Sequence, residues 1–513
     1  MASFLERVRA RKAKDTLRAI LPDSDAVDLS HLGRVLLHAA LVGAAAGLVG
    51  AAFFAGLEYV QRLVLEDLGG YRILRASGEN FLPESTTPHV FRPWLLVLLP
   101  AVGALGSGIL SQLAPETRGG GGDAMINAFH HHGGRIRRRV IGVKALASLL
   151  TLGTGGSGGR EGPTMQIGGA LGSTVGRLLR VSAVERRILM VAGVAAGISA
   201  VFRTPLGAAL LAVEVLYRDD FESDALIPAV LASVVAYSVV ISIFGESTLF
   251  AQPSRFPFVP AHLWLYGLMA IIVALLANLF VRTLRTVQGI SVRLPIPEWS
   301  KPALGGLALG VFAVPLIVVV GWQIGIPGQG LGLLGGGYGA VQIAISGASF
   351  LPEGWSAVAL LAGLCLAKLF ASSLTIGSGG SAGDFAPSLV IGGLFGGAFG
   401  RGVQLMSADP RINPAAFALI AMGTFYGGLA HAPLSSLIIV CELAGSYDLL
   451  VPLMLAEGIA FIVLRKQSLY HAQLPSRRHS PAHDDDSGLR EPGPTTTPSS
   501  QPTDDPPPTA SRP

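Results

Sequence analysis

A glycine cluster that runs straight into an apolar helix, with a proline in the helix's first turn, occurs twice in this chain. Residues 153–177 read GTGGSGGREGPTMQIGGALGSTVGR, and residues 375–401 read TIGSGGSAGDFAPSLVIGGLFGGAFGR. At an offset of 224 (387 − 163), Gly155, Gly156, Ser157 and Gly159 fall on Gly379, Gly380, Ser381 and Gly383, and Pro163 falls on Pro387. Lys144, Ser148 and Thr151 meet Lys368, Ser372 and Thr375 at the same offset. Downstream, PLGAALLAVE ending at Glu214 echoes PLSSLIIVCE ending at Glu442, the offset now 228 (442 − 214). The chain therefore reads as two related halves. At one chemically telling position they differ: Glu161 faces Phe385.

Each cluster has a physical use. Glycines let several backbone N–H groups point at one spot, and the start of a helix adds partial positive charge there. The proline is tolerated because a first-turn N–H has no helical partner. Such a place suits an anion, and in the first half a fixed anion, Glu161, already stands in it. A third cluster, Gly119–Gly122, precedes another short helix.

The surroundings are apolar. Half of the 513 residues are hydrophobic and 14% are charged, with a mean hydropathy of +0.54, which argues against a water-soluble protein. Runs of membrane-spanning scale recur at 35–54, 94–114, 263–280, 304–320 and 358–374. Segments 162–179, 188–201 and 433–445 are too short for a full crossing. Broken helices in two halves point to a transporter or channel with its site near mid-membrane. The expected fold is an all-α polytopic membrane protein of two inverted repeats. Its parts are a basic N-terminal helix (1–32), half one (33–250), half two (251–474) and a disordered tail (475–513). The net charge of +5 sits at 7–14, 135–139 and 465–478, so both termini are expected in the cytoplasm by the positive-inside rule. No cleavable signal peptide is evident.

Several other readings fall away. No basic soluble face offers itself to nucleic acid. GTGGSG matches a dinucleotide fingerprint, but no βα alternation surrounds it and no acidic residue follows about twenty on. Cys365 and Cys441 lie in apolar helices and read as packing residues, and His130–His132 read as a solvated loop rather than a metal site. No nucleophile–base pair stands in the apolar segments, so no enzyme and no cofactor is expected. Glu185–Arg187 read as a charged hinge between helices, and Glu214 and Glu442 as paired structural caps, with a proton path as the alternative.

GREGP at 159–163, GDFAP at 383–387 and LYHAQL around Tyr470 together resemble the CLC family of chloride channels and proton-coupled chloride exchangers, over roughly residues 33–474. The resemblance implies a homodimer in the plasma (inner) membrane, with one anion pathway per subunit. It makes Glu161 the outer gate and proton-transfer residue. Anion-binding positions carried over are Gly120, Gly121, Arg160, Gly162, Asp384, Phe385 and Ala386, with the Tyr470 hydroxyl closing the site from the inner side. The motif frames are Gly119, Asp123, Gly159, Pro163, Gly383 and Pro387.

Three departures stand out. GGGGD at 119–123 replaces the family's GSGIP, leaving Gly120 without a serine hydroxyl. Asp384 replaces a commonly apolar residue. The inner proton glutamate of many exchangers falls on Val215, beside Glu214. Val215 tilts the expectation to passive chloride conduction of the voltage-gated channel type. Chloride/proton antiport is the alternative, or transport of fluoride or nitrate.

Overall fold

A computed structural model describes residues 29–79, 90–250, 255–407 and 409–483. Most of the expected N-terminal helix and of the expected tail lies outside them. Among the described residues there are sixteen α-helices, eight in each half. Half one comprises α1 (Leu29–Gln61), α2 (Pro93–Leu110), α3 (Gly122–His131), α4 (Arg139–Gly153), α5 (Glu161–Leu178), α6 (Ala183–Phe202), α7 (Pro205–Glu214) and α8 (Leu226–Phe244). Half two repeats the order: α9 (Leu263–Arg293), α10 (Lys301–Gln323), α11 (Tyr338–Ser346), α12 (Trp355–Gly377), α13 (Phe385–Ser407), α14 (Pro414–Ala430), α15 (Pro433–Ala444) and α16 (Leu450–Leu464).

The halves run in opposite directions where they meet. Gly159 and Gly383 form an antiparallel bridge, each N–H donating to the other's carbonyl at 2.7 Å. Side chains cross in the same reciprocal way. Ser148 Oγ lies 2.9 Å from Ser381 Oγ, and its repeat counterpart, Ser372 with Ser157, closes at 3.0 Å. Glu214 accepts the N–H groups of Leu434 (3.1 Å) and Ser435 (2.8 Å) at the start of α15. Glu442 accepts those of Leu206 (3.1 Å) and Gly207 (2.8 Å) at the start of α7. Each half thus caps a helix of the other, which lipid could not do.

Among the described residues, seven helices are long and apolar enough to cross a membrane, α1, α9, α10 and α12 among them. Their outward faces carry Leu41 and Leu48, Leu275, Val311 and Val319, and Phe370. Others are fragments: α7 has 10 residues and α15 has 12, roughly 15 and 18 Å of helix at 1.5 Å per residue. Helices this short cannot span a hydrocarbon core of about 30 Å, so their ends need partners within the protein. Inside each half, small residues let backbones touch, as where a Cβ on Gly168 would strike the Gly193 carbonyl.

Local expectations differ from the structure in three places. The charged segment 185–187 is no hinge. Ser182 caps the Glu185 N–H at 3.1 Å, so the charges form the first turn of a 20-residue α6, longer than the segment foreseen. The histidines are not a solvated loop. His130 and His131 lie in α3, and His130 is buried between Ser480 Oγ (2.7 Å) and the Leu216 carbonyl (3.0 Å). The ordered chain also runs past 474. Residues 475–483 dock on the turn after α7, Arg477 N–H donating to Asp220 at 3.0 Å and His483 pairing with Glu222 at 2.9 Å.

Candidate functional site

Four helices begin at the point where the halves cross: α3, α5, α11 and α13. The loops that deliver them are glycine-rich because they must turn sharply and lie backbone to backbone. Gly121 and Gly337, the N-caps of α3 and α11, have φ of +94° and +91°, a region that glycine alone enters at little cost. A Cβ on Gly383 would stand 2.6 Å from the Gly162 nitrogen. Two buried lysines hold the loops that open α3 and α11. Lys144 Nζ donates to the carbonyls of Thr117 (3.0 Å) and Gly119 (2.7 Å), and Lys368 Nζ to those of Gly332 (3.0 Å) and Gly335 (2.6 Å).

The 328–339 loop is a fourth glycine cluster that the sequence reading passed over. Its offset from 119–123 is 216, not 224, so the repeat that exposed the other pair does not align it. The signal lay in the run GGGYG.

Glu161 occupies the first turn of α5 and is 1% exposed. Tyr338, first residue of α11, donates its hydroxyl to Glu161 Oε1, while Oε2 has no hydrogen-bond partner. One oxygen is held and the other is free. Next to it, the Arg160 guanidinium reaches Glu79 at 2.8 Å, with Glu161 Oε1 at 3.9 Å and Glu58 at 4.0 Å. It lies over the Phe54 ring at 4.7 Å and the Tyr338 ring at 5.4 Å. Arg75 continues the network by bridging Glu58 (2.9 Å) and Glu66 (2.7 Å). Arg160 is therefore spoken for by carboxylates, and a buried ion-pair network, unforeseen in sequence, fixes this side. A small cavity of about 40 Å³ lies here, between Glu79, Arg160, Tyr338 and Gly335–Gly337.

A larger cavity, about 250 Å³, opens on the opposite side, where the C-terminal segment lies. Gly119–Gly122, Asp123 and Asp384 line it. Asp123 accepts the Ala472 N–H at 2.9 Å, tying α3 to the segment that carries Tyr470. Tyr470 is buried, its ring against Gly122, and its hydroxyl donates to Asp384 Oδ1 at 3.3 Å. Phe385 is buried between the rings of Tyr426 (centroids 4.2 Å apart) and Phe202 (4.9 Å).

The structure thus gathers residues 119–123, 159–163, 383–387 and Tyr470 around one point. Glu214 and Val215 stand apart from that point. Glu214 is committed to α15, with the Ser435 hydroxyl as a third donor, and Val215 is fully buried.

Duplicated inverted halves, sixteen helices among the described residues and four helix starts gathered where the halves cross define a multi-pass membrane protein of the transporter and channel class. The family model described as voltage gated chloride channel matches residues 102–465, and the chain belongs to that family. It is 30% identical over 431 residues to an H(+)/Cl(−) exchange transporter, ClcA, of Salmonella paratyphi B, covering 82% of this chain and 83% of that one. It is 29% identical over 424 residues to a ClcA exchange transporter of Yersinia pestis bv. Antiqua (strain Angola), covering 82% of each. Two solved structures share the fold. One is a slow cyanobacterial Cl−/H+ antiporter, with a TM-score of 0.70 and 24% identity over 84% of this chain and 94% of that one. The other is a CLC-type fluoride/proton antiporter, with a TM-score of 0.69 and 22% identity over 88% of this chain and all of that one. The named relatives are exchangers, which turns the channel preference drawn from Val215 toward its alternative.

Proposed function

We propose that this protein exchanges chloride for protons across the membrane, with Glu161 as the gate on the side away from the C-terminal segment. One observation carries the reading: a buried carboxylate stands in the first turn of a helix, where four helix starts converge, held through one oxygen by Tyr338 and with the other unpartnered. A carboxylate at membrane depth is costly, by roughly 2.5–3.5 kcal/mol even on lenient scales. The partial positive charge of the helix starts favours the ionised form and would favour chloride alike, so the two compete for one place. Protonated, the side chain has no claim on that place and leaves it to the anion. Anion and proton therefore move in turn.

The positions facing the anion are the backbones of Gly120, Gly121, Gly162, Asp384, Phe385 and Ala386. The basic clusters at 135–139 and 465–478 support a cytoplasmic location for the C-terminal side. The same reading puts the protein in the inner membrane as two subunits, each with its own pathway.

The test is a chloride gradient imposed on proteoliposomes. Uphill proton movement is expected, and Glu161→Gln is expected to abolish it while chloride still flows. Robust chloride flux with no uphill proton movement in the unmodified protein would return the reading to a channel. Gly120 leaves the site without a serine hydroxyl, so fluoride or nitrate is the second reading, and halide competition in the same vesicles decides it.

A further inference from the structure

The pathway holds a second carboxylate that the outer gate does not use. Asp384 lies at the mouth of the larger cavity, 8% exposed, with Tyr470 donating to Oδ1. Its Oδ2 lies 3.1 Å from the place a Gly120 Cβ would take. The carboxylate therefore fills the space between Tyr470 and the 119–122 loop. An anion moving between the cavity and the converging helix starts meets it first.

The arrangement repeats the outer one. On one side a tyrosine, Tyr338, holds Glu161 beside the 335–337 loop. On the other a tyrosine, Tyr470, holds Asp384 beside the 119–122 loop. The two loops are repeat counterparts (335 − 119 = 216), but the acids are not: Asp384 matches Arg160 (384 − 160 = 224) and Glu161 matches Phe385 (385 − 161 = 224). Each half has added its own acid at its own end of the path.

We propose that Asp384 is a second gating carboxylate, working from the C-terminal side, which yields its place to the transported anion on taking a proton from the larger cavity. This deepens the exchange reading and rests on it for the proton's onward route. The cavity is roomy enough for several waters, which carry protons to Asp384. Its charged neighbours allow it to move. Lys144 acts on it from α4 but spends its protons on Thr117 and Gly119. Asp123, from α3, is engaged by Ala472. Arg285 of α9 and His471 face the cavity, Tyr426 acts from α14, and Glu116 and Arg118 stand at the rim, Glu116 held by Arg137. Neither Glu214, bound to α15, nor the apolar Val215 offers a carboxylate to this cavity.

The experiment is anion flux through protein oriented in a supported bilayer, with pH stepped on one face at a time. Flux in the unmodified protein is expected to rise as the C-terminal face is acidified. In Asp384→Asn it is expected to be flat with pH on that face, at the level the unmodified protein reaches only on acidification. Tyr470→Phe keeps the carboxylate and removes its donor, so the response persists with its midpoint at higher pH. An Asp384→Asn protein that responds as the unmodified one does overturns the proposal. If that variant fails to fold, Tyr470→Phe and Asp384→Glu decide, and an unshifted midpoint in both overturns it as well. Glu161→Gln is measured on the opposite face. Should it keep uphill proton movement, the exchange reading falls, while the C-terminal-face response still decides Asp384 on its own.

Discussion

Glu214→Ala isolates the crossed caps from any part in proton movement. The Glu214 carboxylate accepts two buried N–H groups, of Leu434 and Ser435, and the Ser435 hydroxyl. Each N–H left without a partner away from water costs about 1–3 kcal/mol. Loss of a negative charge at a helix start adds about 0.3–1 kcal/mol, and up to ~2 in partly buried geometries. Some of this is recovered as α15 relaxes or a water enters, so the expected loss is about 3–5 kcal/mol. Glu442 accepts two N–H groups, and Gly207 stands where Ser435 supplies a hydroxyl in the other half, so Glu442→Ala is expected to cost about 1 kcal/mol less, the worth of one hydrogen bond. Glu214→Gln keeps an acceptor oxygen and gives up the charge, which places it between alanine and the unmodified protein at about 1–2 kcal/mol. The assay is unfolding in mixed detergent micelles, followed by tryptophan fluorescence, with proton movement measured on the same preparations. Stability of Glu214→Ala within about 0.5 kcal/mol of the unmodified protein, the range of an inconsequential surface change, would refute the cap. So would a Glu214→Gln protein of full stability that carries chloride but no protons.

Gly383→Ala puts a methyl 2.6 Å from the Gly162 nitrogen and 3.0 Å from its Cα, so the paired loops must part, and chloride flux is expected to fall by at least about tenfold in the same vesicles while helix content by circular dichroism holds. Tyr338→Phe leaves Glu161 without its hydroxyl donor, and the pH response of flux on that face is expected to move to higher pH, with a stationary response counting against Tyr338 as its holder. Glu457 of α16 is 1% exposed, and the nearest hydroxyl, that of Ser436, donates to the Gly423 carbonyl instead, leaving its oxygens without a well-placed donor. Glu457→Gln is therefore expected to raise stability by about 1 kcal/mol or more with chloride flux unchanged, and a fall in stability would reveal a partner for the carboxylate.

Much of this molecule was legible because duplication writes itself twice. The 224-residue offset sets Gly159 against Gly383 as equivalents, and the structure joins the two; GREGP, GDFAP and Tyr470 lie close together, as the family pattern implies. The 335–339 loop escaped because eight residues of different spacing upstream of Lys368 broke that offset, and glycines without a carboxylate carry little local signal. The network of Glu58, Arg75, Glu79 and Arg160 escaped for another reason. Its members are up to 102 residues apart (160 − 58) and pair only once α1 and α5 are side by side. His130 misled because three adjacent histidines look hydrophilic in a row, whereas a helix sends neighbours to different faces and buries one of them. Residues 475–483 misled because they dock through charge and hydrogen bonds, which leave no apolar pattern to read.

The reciprocal glutamates also constrain how such a chain can be made. During synthesis the N–H groups that open α7 emerge more than two hundred residues before Glu442, the only acceptor described for them (442 − 206 = 236). Until then α7 is a ten-residue fragment whose bare end the bilayer will not take. Half one must wait, sheltered by the insertion machinery or at the membrane surface, for its counterpart. If the gene were cut between α8 and α9, neither product would stand alone, yet the two expressed together would complete each other's helices and restore transport.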